Sequence, residues 1–415
     1  MKARRVMVTG IGAVAPNGTG KDAFWKGLME GRSAVTRITR FDASNFTTKI
    51  GAEIKDFIPH PKIPAEHLPR MDRAYLIGVT AALMAVEDAR LHQEKEDVGR
   101  WGVYMGIAVA GVDGYENDFC HWRRKGLENV QPNWYQGWFP SACSGYISQI
   151  LGLRGNSQVL STGCCSSVDA MGLAFDAIRM GDEEIALAGG TEAPLTPLGL
   201  NAFCSMRALS TRNEDPGHAS RPFDNERDGF VLAEGSAVLV LESLEHARAR
   251  GATIYAELKG YGTTSNAHHM TAPEPSGEQP ARALRLALDD AGMQPEEIGV
   301  LMAHGSSTPL NEKAETRAAK KAFGKHAYKL AIPSIKSMIG HSLGSAGALQ
   351  AAASVLTLVH QKVPPTINYQ VPDPDCDLDC VPNEARAMPV GAIMTNTAGF
   401  SGKNTALVFR KWATT

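Results

Sequence analysis

Several short segments of this chain occur twice, and this internal repeat restricts the fold more than any other feature of the sequence. Self-similarity between two halves of a chain indicates a duplicated structural unit. The matched segments are 8–12 (VTGIG) with 258–262 (LKGYG), 101–106 (WGVYMG) with 298–303 (IGVLMA), 162–174 with 337–348, and 188–190 with 397–399. We therefore predict two similar halves, 1–252 and 253–415, with one site formed across the pseudo-twofold axis. Chance similarity between short glycine-containing turns is the alternative.

The order of apolar patterns predicts a layered α/β architecture. Short β-branched runs alternate with longer segments of helical periodicity, as in α/β folds. The predicted strands are 5–9, 102–106, 184–188, 237–241, 255–261, 299–303, 392–396 and 405–410. The predicted helices are 21–29, 73–89, 167–180, 278–291, 311–323 and 346–359.

Charge and composition exclude several classes of protein. A net charge of −2 gives no basic field for nucleic acid or an anionic membrane. The apolar stretch 343–359 contains Ser345, Gln350 and Ser354, so it predicts a buried helix and not a membrane span. Seven scattered cysteines without metal-site spacing favour a reducing cytoplasm and no metal centre. The segment 10–15 (GIGAVA) formally matches a dinucleotide fingerprint, but Pro16 falls where the phosphate-binding helix should begin.

Cys164 is the predicted nucleophile. It follows a β-rich run at 157–160 and a Thr-Gly turn, and it precedes an apolar-faced helix. A helix N-terminus favours thiolate, so we expect a partly ionised sulfur. Adjacent residues on a helix point about 100° apart, so Cys165 is expected to pack below the site. A packed core thiol is the structural alternative for any single cysteine.

Two histidines are predicted to shape the charge around this thiol. His304 ends an apolar strand and is followed by a loop that contains Ser306 and Thr308, at the place where α/β enzymes position chemistry. His341 is expected to be neutral because Lys336 carries positive charge nearby. Glu315 is the predicted counterion of Lys336. A structural strand-end histidine and a solvated lysine are the alternatives.

A glycine-rich turn at 396–402 (NTAGFSG) is predicted to close over the thiol. Its glycines let the backbone approach a ligand closely. The N–H groups of Phe400 and Cys164 would form an oxyanion hole, and the Phe400 ring would gate access to the sulfur.

Together these segments resemble the β-ketoacyl synthases of the thiolase superfamily over nearly the whole chain. The segments that carry the resemblance are 221–224 (RPFD), 227–231 (RDGFV), 304–308 (HGSST), 336–341 (KSMIGH) and the loop that contains Phe400. Within the family the chain is most similar to the ketosynthase α subunit of type II aromatic polyketide synthases, through 266–271 (NAHHMT), 326–328 (HAY) and 372–379 (PDPDCDLD).

The resemblance implies a thiolase-like five-layer αβαβα fold and decarboxylative Claisen condensation without a metal or organic cofactor. Cys164 would take an acyl group from the phosphopantetheine arm of an acyl carrier protein. His304 and His341 would assist decarboxylation of the malonyl group, supported by Lys336 and Glu315. The implied partner is a chain-length-factor homologue without the active-site cysteine, with a homodimer as the alternative.

Some residues depart from the family pattern, and other functions stay open. Cys165 stands where Thr, Ser or Ala is usual, and Ala233 replaces a glycine. The nearest alternative function is a fatty-acid-type 3-oxoacyl synthase II, and a more distant one is a Cys-His thioester hydrolase. A non-catalytic partner subunit is a further reading. Arg70 and Lys62 are predicted to dock the acidic carrier protein, with plain surface charge as the alternative.

Overall fold

The computed structural model describes residues 3–109, 111–126, 128 and 138–413. Its α-helices are α1 (Lys21–Met29), α2 (Arg73–Asp88), α3 (Val112–Lys125), α4 (Ala142–Leu151), α5 (Ser166–Met180), α6 (Pro197–Ser205), α7 (Leu244–Ala249), α8 (Glu278–Ala291), α9 (Asn311–Phe323), α10 (Lys336–Ile339) and α11 (Ala346–His360). Its strands are β1 (Val6–Ala15), β2 (Gly18–Thr19), β3 (Thr36–Arg37), β4 (Ile50–Gly51), β5 (Trp101–Gly106), β6 (Ser157–Leu160), β7 (Ile185–Glu192), β8 (Gly235–Ser243), β9 (Ala256–Ser265), β10 (Val300–Met302), β11 (Lys362–Val363), β12 (Arg386–Ala387), β13 (Ala392–Ala398) and β14 (Lys403–Lys411).

The strand order reads almost the same from both ends. The main sheet runs β10-β13-β14-β9-β1-β8-β7-β5-β6, so the two halves meet where β1 pairs with β9. That junction is antiparallel, with Val6 opposite Leu258 and Val8 opposite Ala256. In the second half, Ala331 forms an isolated β-bridge with Val300 at the outer side of β10, which is the position that β6 occupies in the first half. The structure thus has the internal symmetry expected from the repeated segments.

Glycines at matched positions explain why the repeated VTGIG and LKGYG segments look alike. A Cβ on Gly12 would lie 1.9 Å from the carbonyl oxygen of Ala81 on α2. A Cβ on Gly262 would lie 2.3 Å from the carbonyl oxygen of Ala283 on α8. Each strand therefore touches the backbone of its own outer helix, and a side chain would separate the two.

Helices cover both faces of the strands and fill the space between the halves. Helix α2 packs on β1, β8 and β7, while α8 packs on β9 and β14. Helices α5 and α11 contact each other and strands of both halves. Helices α5 and α11 form the middle layer, the strands of the two halves form a layer on each side of it, and the outer layers contain helices such as α2 and α8. These are the five layers of the predicted αβαβα fold.

Several predicted boundaries were wrong at their edges. Strand β1 continues to Ala15 because it stays paired with β8 beyond a bulge after Val8. The dinucleotide-like segment 10–15 is therefore part of a strand. Strand β13 runs to Ala398, so the predicted turn at 396–402 begins only at Gly399.

The apolar stretch before His360 lies in the interior. Residues Leu343–His360 are the one segment among the described residues that is long and apolar enough to cross a membrane, and 89% of it is buried inside the protein. Its apolar character is that of the central helix layer, as predicted.

Candidate active site

Cys164 lies in the turn between β6 and α5. Gly163 before it has φ +63°, a left-handed conformation that glycine adopts without strain. Cys165 is the N-cap residue of α5, so Cys164 stands just outside the first helical turn. Only 6% of Cys164 is exposed, and it lines a cavity together with His304 and His341. The structure brings the predicted nucleophile and both predicted histidines to one site.

The expectation of a partly ionised sulfur was wrong. Burial raises the pKa of the Cys164 thiol to about 11, because charge is poorly solvated in the interior. The positive charge of Lys336 and the backbone N–H of Phe400 lower this pKa, but burial outweighs them. The resting group is therefore the neutral thiol.

Cys165 points away from the cavity, as predicted. It is fully buried, and its sulfur lies 3.5 Å from the carbonyl oxygen of Thr397 and 3.4 Å from that of Lys403. Burial raises the pKa of its thiol to about 12. Its surroundings on β13 and β14 make it a packing residue.

His304 and His341 are neutral and face each other. Their ring centroids are 5.1 Å apart with an interplanar angle of 84°. Burial, followed by the charge of Lys336, holds the pKa of both imidazoles well below its ordinary value. The Nδ1 atom of each ring is buried and has no hydrogen-bond partner among the described residues.

Lys336 is buried, and its direct acceptors are uncharged. Its Nζ donates to the carbonyl oxygen of His304 at 2.5 Å and to Oε1 of Gln350 at 2.8 Å. Burial lowers the pKa of Lys336 to about 8, while the charge of Glu315 opposes that shift. The Nε2 atom of Gln350 donates in turn to the carbonyl oxygens of Ala303 and Asn396. Sequence reasoning missed this role of Gln350, whose only signal was a polar residue in an apolar helix.

Glu315, the predicted counterion of Lys336, acts on that lysine through its charge and not through a direct salt bridge. Its carboxylate accepts the N–H of His304 at 2.6 Å, the N–H of Gly305 at 2.9 Å and Nδ2 of Asn396 at 2.8 Å. Burial raises the pKa of Glu315, and these donors lower it. The carboxylate therefore fixes the backbone that carries His304 and influences Lys336 only through its charge.

Phe400 closes one side of the cavity. Its backbone N–H lowers the pKa of the Cys164 thiol, and the oxyanion hole formed by the N–H groups of Phe400 and Cys164 stays a prediction. Its ring packs in the apolar cluster that holds Cys164, Phe203, Phe230 and Leu343. The Phe230 ring also meets His341 edge-on, with centroids 5.2 Å apart.

Ser306 and Thr308 line the same cavity, and their hydroxyl oxygens are 2.9 Å apart. A buried arginine supports this loop: Nε of Arg227 donates to the carbonyl oxygen of Thr308 at 2.9 Å and lies 3.2 Å from Glu312. Sequence reasoning missed Glu312, which is fully buried.

The two predicted docking residues lie outside the cavity. Arg70 is exposed beside a surface groove that it lines with His67 and Tyr146. Lys62 is exposed and pairs with Glu87 at 3.1 Å. Neither side chain contributes to the cavity lining.

A search of the described residues finds no group of three or more His, Cys, Asp or Glu side chains placed to hold a metal ion.

Comparison with known families gives two matches in tandem. The family model of the beta-ketoacyl synthase N-terminal domain matches residues 3–247, and that of the C-terminal domain matches residues 255–370. The 3-oxoacyl-(acyl-carrier-protein) synthase 2 of Synechocystis sp. is 43% identical over 412 residues, which are 99% of each chain.

Solved structures give the same result. One contains a type II PKS acyl-carrier protein in complex with its ketosynthase bound to the hexaketide. It is 37% identical with a TM-score of 0.92, over 99% of this chain and 100% of that chain. The ishigamide ketosynthase/chain length factor is 36% identical with a TM-score of 0.93, again over 99% and 100%.

Proposed function

The chain belongs to the beta-ketoacyl synthase family, and on that basis we propose that it acts as the ketosynthase α subunit of a type II polyketide synthase. Its reaction is the decarboxylative Claisen condensation of malonyl-acyl carrier protein with an acyl chain bound to Cys164. The observation that carries this proposal is one cavity shared by a thiol and two neutral imidazoles, Cys164, His304 and His341.

The first step transfers an acyl group to sulfur. The Cys164 sulfur attacks the thioester carbonyl of the incoming acyl-phosphopantetheine, and the N–H groups of Cys164 and Phe400 hold the developing oxyanion. The carbon–sulfur bond to pantetheine then breaks. The proton of the Cys164 thiol ends on the departing pantetheine sulfur.

The second step forms the carbon–carbon bond. The malonyl thioester loses carbon dioxide, and the resulting enolate oxygen accepts hydrogen bonds from Nε2–H of His304 and His341. The enolate carbon attacks the acyl carbonyl on Cys164 and expels the Cys164 thiolate, which then regains a proton. Neutral imidazoles can fill this role, because each keeps one ring N–H that donates a hydrogen bond.

The partners of this chain follow from the same proposal. Its substrates arrive on an acyl carrier protein, as in the related complex whose ketosynthase is bound to its carrier protein. Arg70 and Lys62 are the proposed docking cations, and Arg70 is the better placed because Lys62 already pairs with Glu87.

A second subunit is proposed to cover the edge of the sheet. Strand β6 ends the strand order, and its residues Ser157 and Gln158 are exposed. An unpaired edge strand invites pairing with another chain. A chain-length-factor homologue is the proposed partner, because one relative is a ketosynthase/chain length factor pair.

We place the enzyme in the cytoplasm and give it no resident metal or organic cofactor. The thiol, the two imidazoles and the backbone donors carry both steps, and water supplies the proton that the Cys164 thiolate regains. All seven cysteines are free, in keeping with a reducing compartment.

The experiment is incubation of the protein with malonyl-loaded acyl carrier protein. Release of carbon dioxide supports condensing chemistry, and a thioester hydrolase would release malonate with its carboxyl group intact. An acyl group found on the Cys164 peptide by mass spectrometry would contradict the reading of a non-catalytic partner subunit.

The second candidate function is a fatty-acid-type 3-oxoacyl synthase II, favoured by the 43% identity to the Synechocystis sp. synthase. Co-expression with the neighbouring open reading frame distinguishes the two functions. A stable heterodimer that makes polyketide chains supports the polyketide ketosynthase, and a homodimer that is active alone supports the fatty-acid-type synthase.

A further inference from the structure

Glu192 connects one turn from each half of the molecule. It ends β7, and only 1% of it is exposed. Its carboxylate accepts the backbone N–H of Ala108 at 2.7 Å and of Val109 at 3.3 Å, in the turn after β5. It also accepts the N–H of Gly344 at 3.1 Å, three residues beyond His341 in the second half.

The two turns touch through their backbones. A Cβ on Gly344 would lie 2.5 Å from the Ala108 nitrogen and 2.8 Å from Oε2 of Glu192, so a side chain there would force the turns apart. Leu343 has φ +44°, which is unfavourable for a residue with a side chain and persists only when the surroundings hold it. Leu343 lines the cavity and packs in the cluster that contains Cys164.

The carboxylate does not itself line the cavity. It accepts backbone N–H groups from two separate turns and so holds those two turns together. Burial raises the pKa of the Glu192 carboxyl to about 7, and the N–H groups of Ala108, Gly344 and Val109 oppose that rise because they stabilise the ionised form.

We infer that Glu192 is a positioning residue for the condensation. Its carboxylate holds the turn Leu343–Ser345 against the turn after β5, and this fixes both the His341 ring and the Leu343 wall beside Cys164. The inference rests on the proposed function, because the reaction whose geometry is fixed is the decarboxylation of the malonyl group.

The test compares Glu192→Gln with Glu183→Gln. Glu183 is a matched control: it is also buried, at 4% exposure, lies just before the start of β7, and accepts the N–H of Asn156 at 2.9 Å. Carbon dioxide release from malonyl-loaded acyl carrier protein gives kcat and KM for each variant. Hydrogen–deuterium exchange of the peptide 341–349 reports on the turn directly.

For Glu192→Gln we expect kcat to fall about tenfold, since small displacements of reacting groups are costly, with KM unchanged and faster exchange in 341–349. Glu183→Gln should keep kcat within about twofold of the unchanged protein. Unchanged kcat or unchanged exchange in Glu192→Gln would overturn the inference. If Glu192→Gln does not fold, Glu192→Asp, which keeps the charge but is shorter, must show the same loss of kcat or the inference fails. No carbon dioxide from the unchanged protein would instead contradict the proposed function.

Discussion

The Cys164 thiol is subject to two opposing influences on its pKa. Burial raises it to about 11, and the nearby Lys336 charge and Phe400 N–H lower it. Since the effect of burial is the larger, the free sulfur is a thiol. A thiol is oxidised and alkylated more slowly than a thiolate. The acyl donor therefore meets a protonated nucleophile, and proton transfer is coupled to acyl transfer.

The two adjacent cysteines should behave differently. We predict that Cys164→Ala abolishes acyl loading, whereas Cys165→Ala keeps most of it, because only Cys164 lines the cavity. Intact-mass measurement after incubation with an acyl thioester reports the loading. Equal loss in both variants would contradict the assignment of the nucleophile.

Lys336 should govern the reactivity of the free sulfur. The positive charge of Lys336 lowers the pKa of the Cys164 thiol, so Lys336→Met should raise that pKa and leave less thiolate. Alkylation of Cys164 by iodoacetamide should therefore slow about threefold or more at about pH 7. In the unchanged protein the alkylation rate should rise about tenfold per pH unit below about pH 7, where the pH lies well below the thiol pKa and Lys336, with a pKa of about 8, stays charged. Lys313→Met, which removes a surface charge paired with Asp375, is the control. Faster alkylation in Lys336→Met would refute this account.

The histidines should matter only after loading. His304→Ala or His341→Ala should leave acyl transfer to Cys164 largely intact and reduce carbon dioxide release about a hundredfold, since each removes a donor to the enolate. Single-turnover loading and carbon dioxide release are measured on the same preparation. A variant that loses loading but keeps decarboxylation would show the opposite role.

The sequence predicted the reacting residues of the site better than their surroundings. Cys164, His304 and His341 stand in recognisable motifs, and the structure groups them in one cavity. Glu315 was predicted as the counterion of Lys336, and its charge raises the pKa of that lysine. The direct hydrogen bonds of Glu315 were not predicted, because the backbone N–H groups of His304 and Gly305 compete with Lys336 for the carboxylate. Such competition depends on tertiary geometry.

At the scale of elements, strands and helices with strong apolar periodicity were predicted well. Helices α1, α8 and α9 have the predicted ends. Helix α3 was not predicted, although Tyr115, Phe119 and Trp122 recur at helical spacing, and none of its described residues is buried. The extension of β1 depends on its pairing with β8, which local sequence does not reveal.

The matched glycines allow close contact between each strand and its outer helix, so a side chain at either position should lower stability. Gly12→Ala and Gly262→Ala should each destabilise the protein by about 2–3 kcal/mol, since the new Cβ would overlap a helix carbonyl oxygen. Gly145→Ala, in helix α4 with no heavy atom within 4 Å, should instead stabilise it by about 0.5–1 kcal/mol. Denaturant unfolding measures all three. A neutral result for either strand glycine would contradict the close strand–helix contact.

At the scale of the whole molecule, the halves are similar but share their interior. Helices α5 and α11 contact each other and strands of both halves, and β1 pairs directly with β9. A cut at the predicted boundary 252/253 would therefore divide this shared core.

Neither half should fold alone. We predict that residues 1–252 and 253–415, expressed separately, lack cooperative unfolding, because each would expose the apolar face that its central helix buries in the other half. Thermal melts followed by circular dichroism test this. A cooperative transition in either fragment would show that the halves are independent domains.

The matched turns at Gly163 and Gly340 have a consequence for rate. Both glycines have positive φ, at +63° and +70°, and the next residues are Cys164 and His341. Each half thus presents one residue of the site at an equivalent turn. The distance between Cys164 and His341 depends on how α5 packs against α11, where Ser167 Oγ accepts the N–H of Ala348 at 2.9 Å. Changing side-chain volume along that contact between α5 and α11 would tune turnover by altering the thickness of the middle layer.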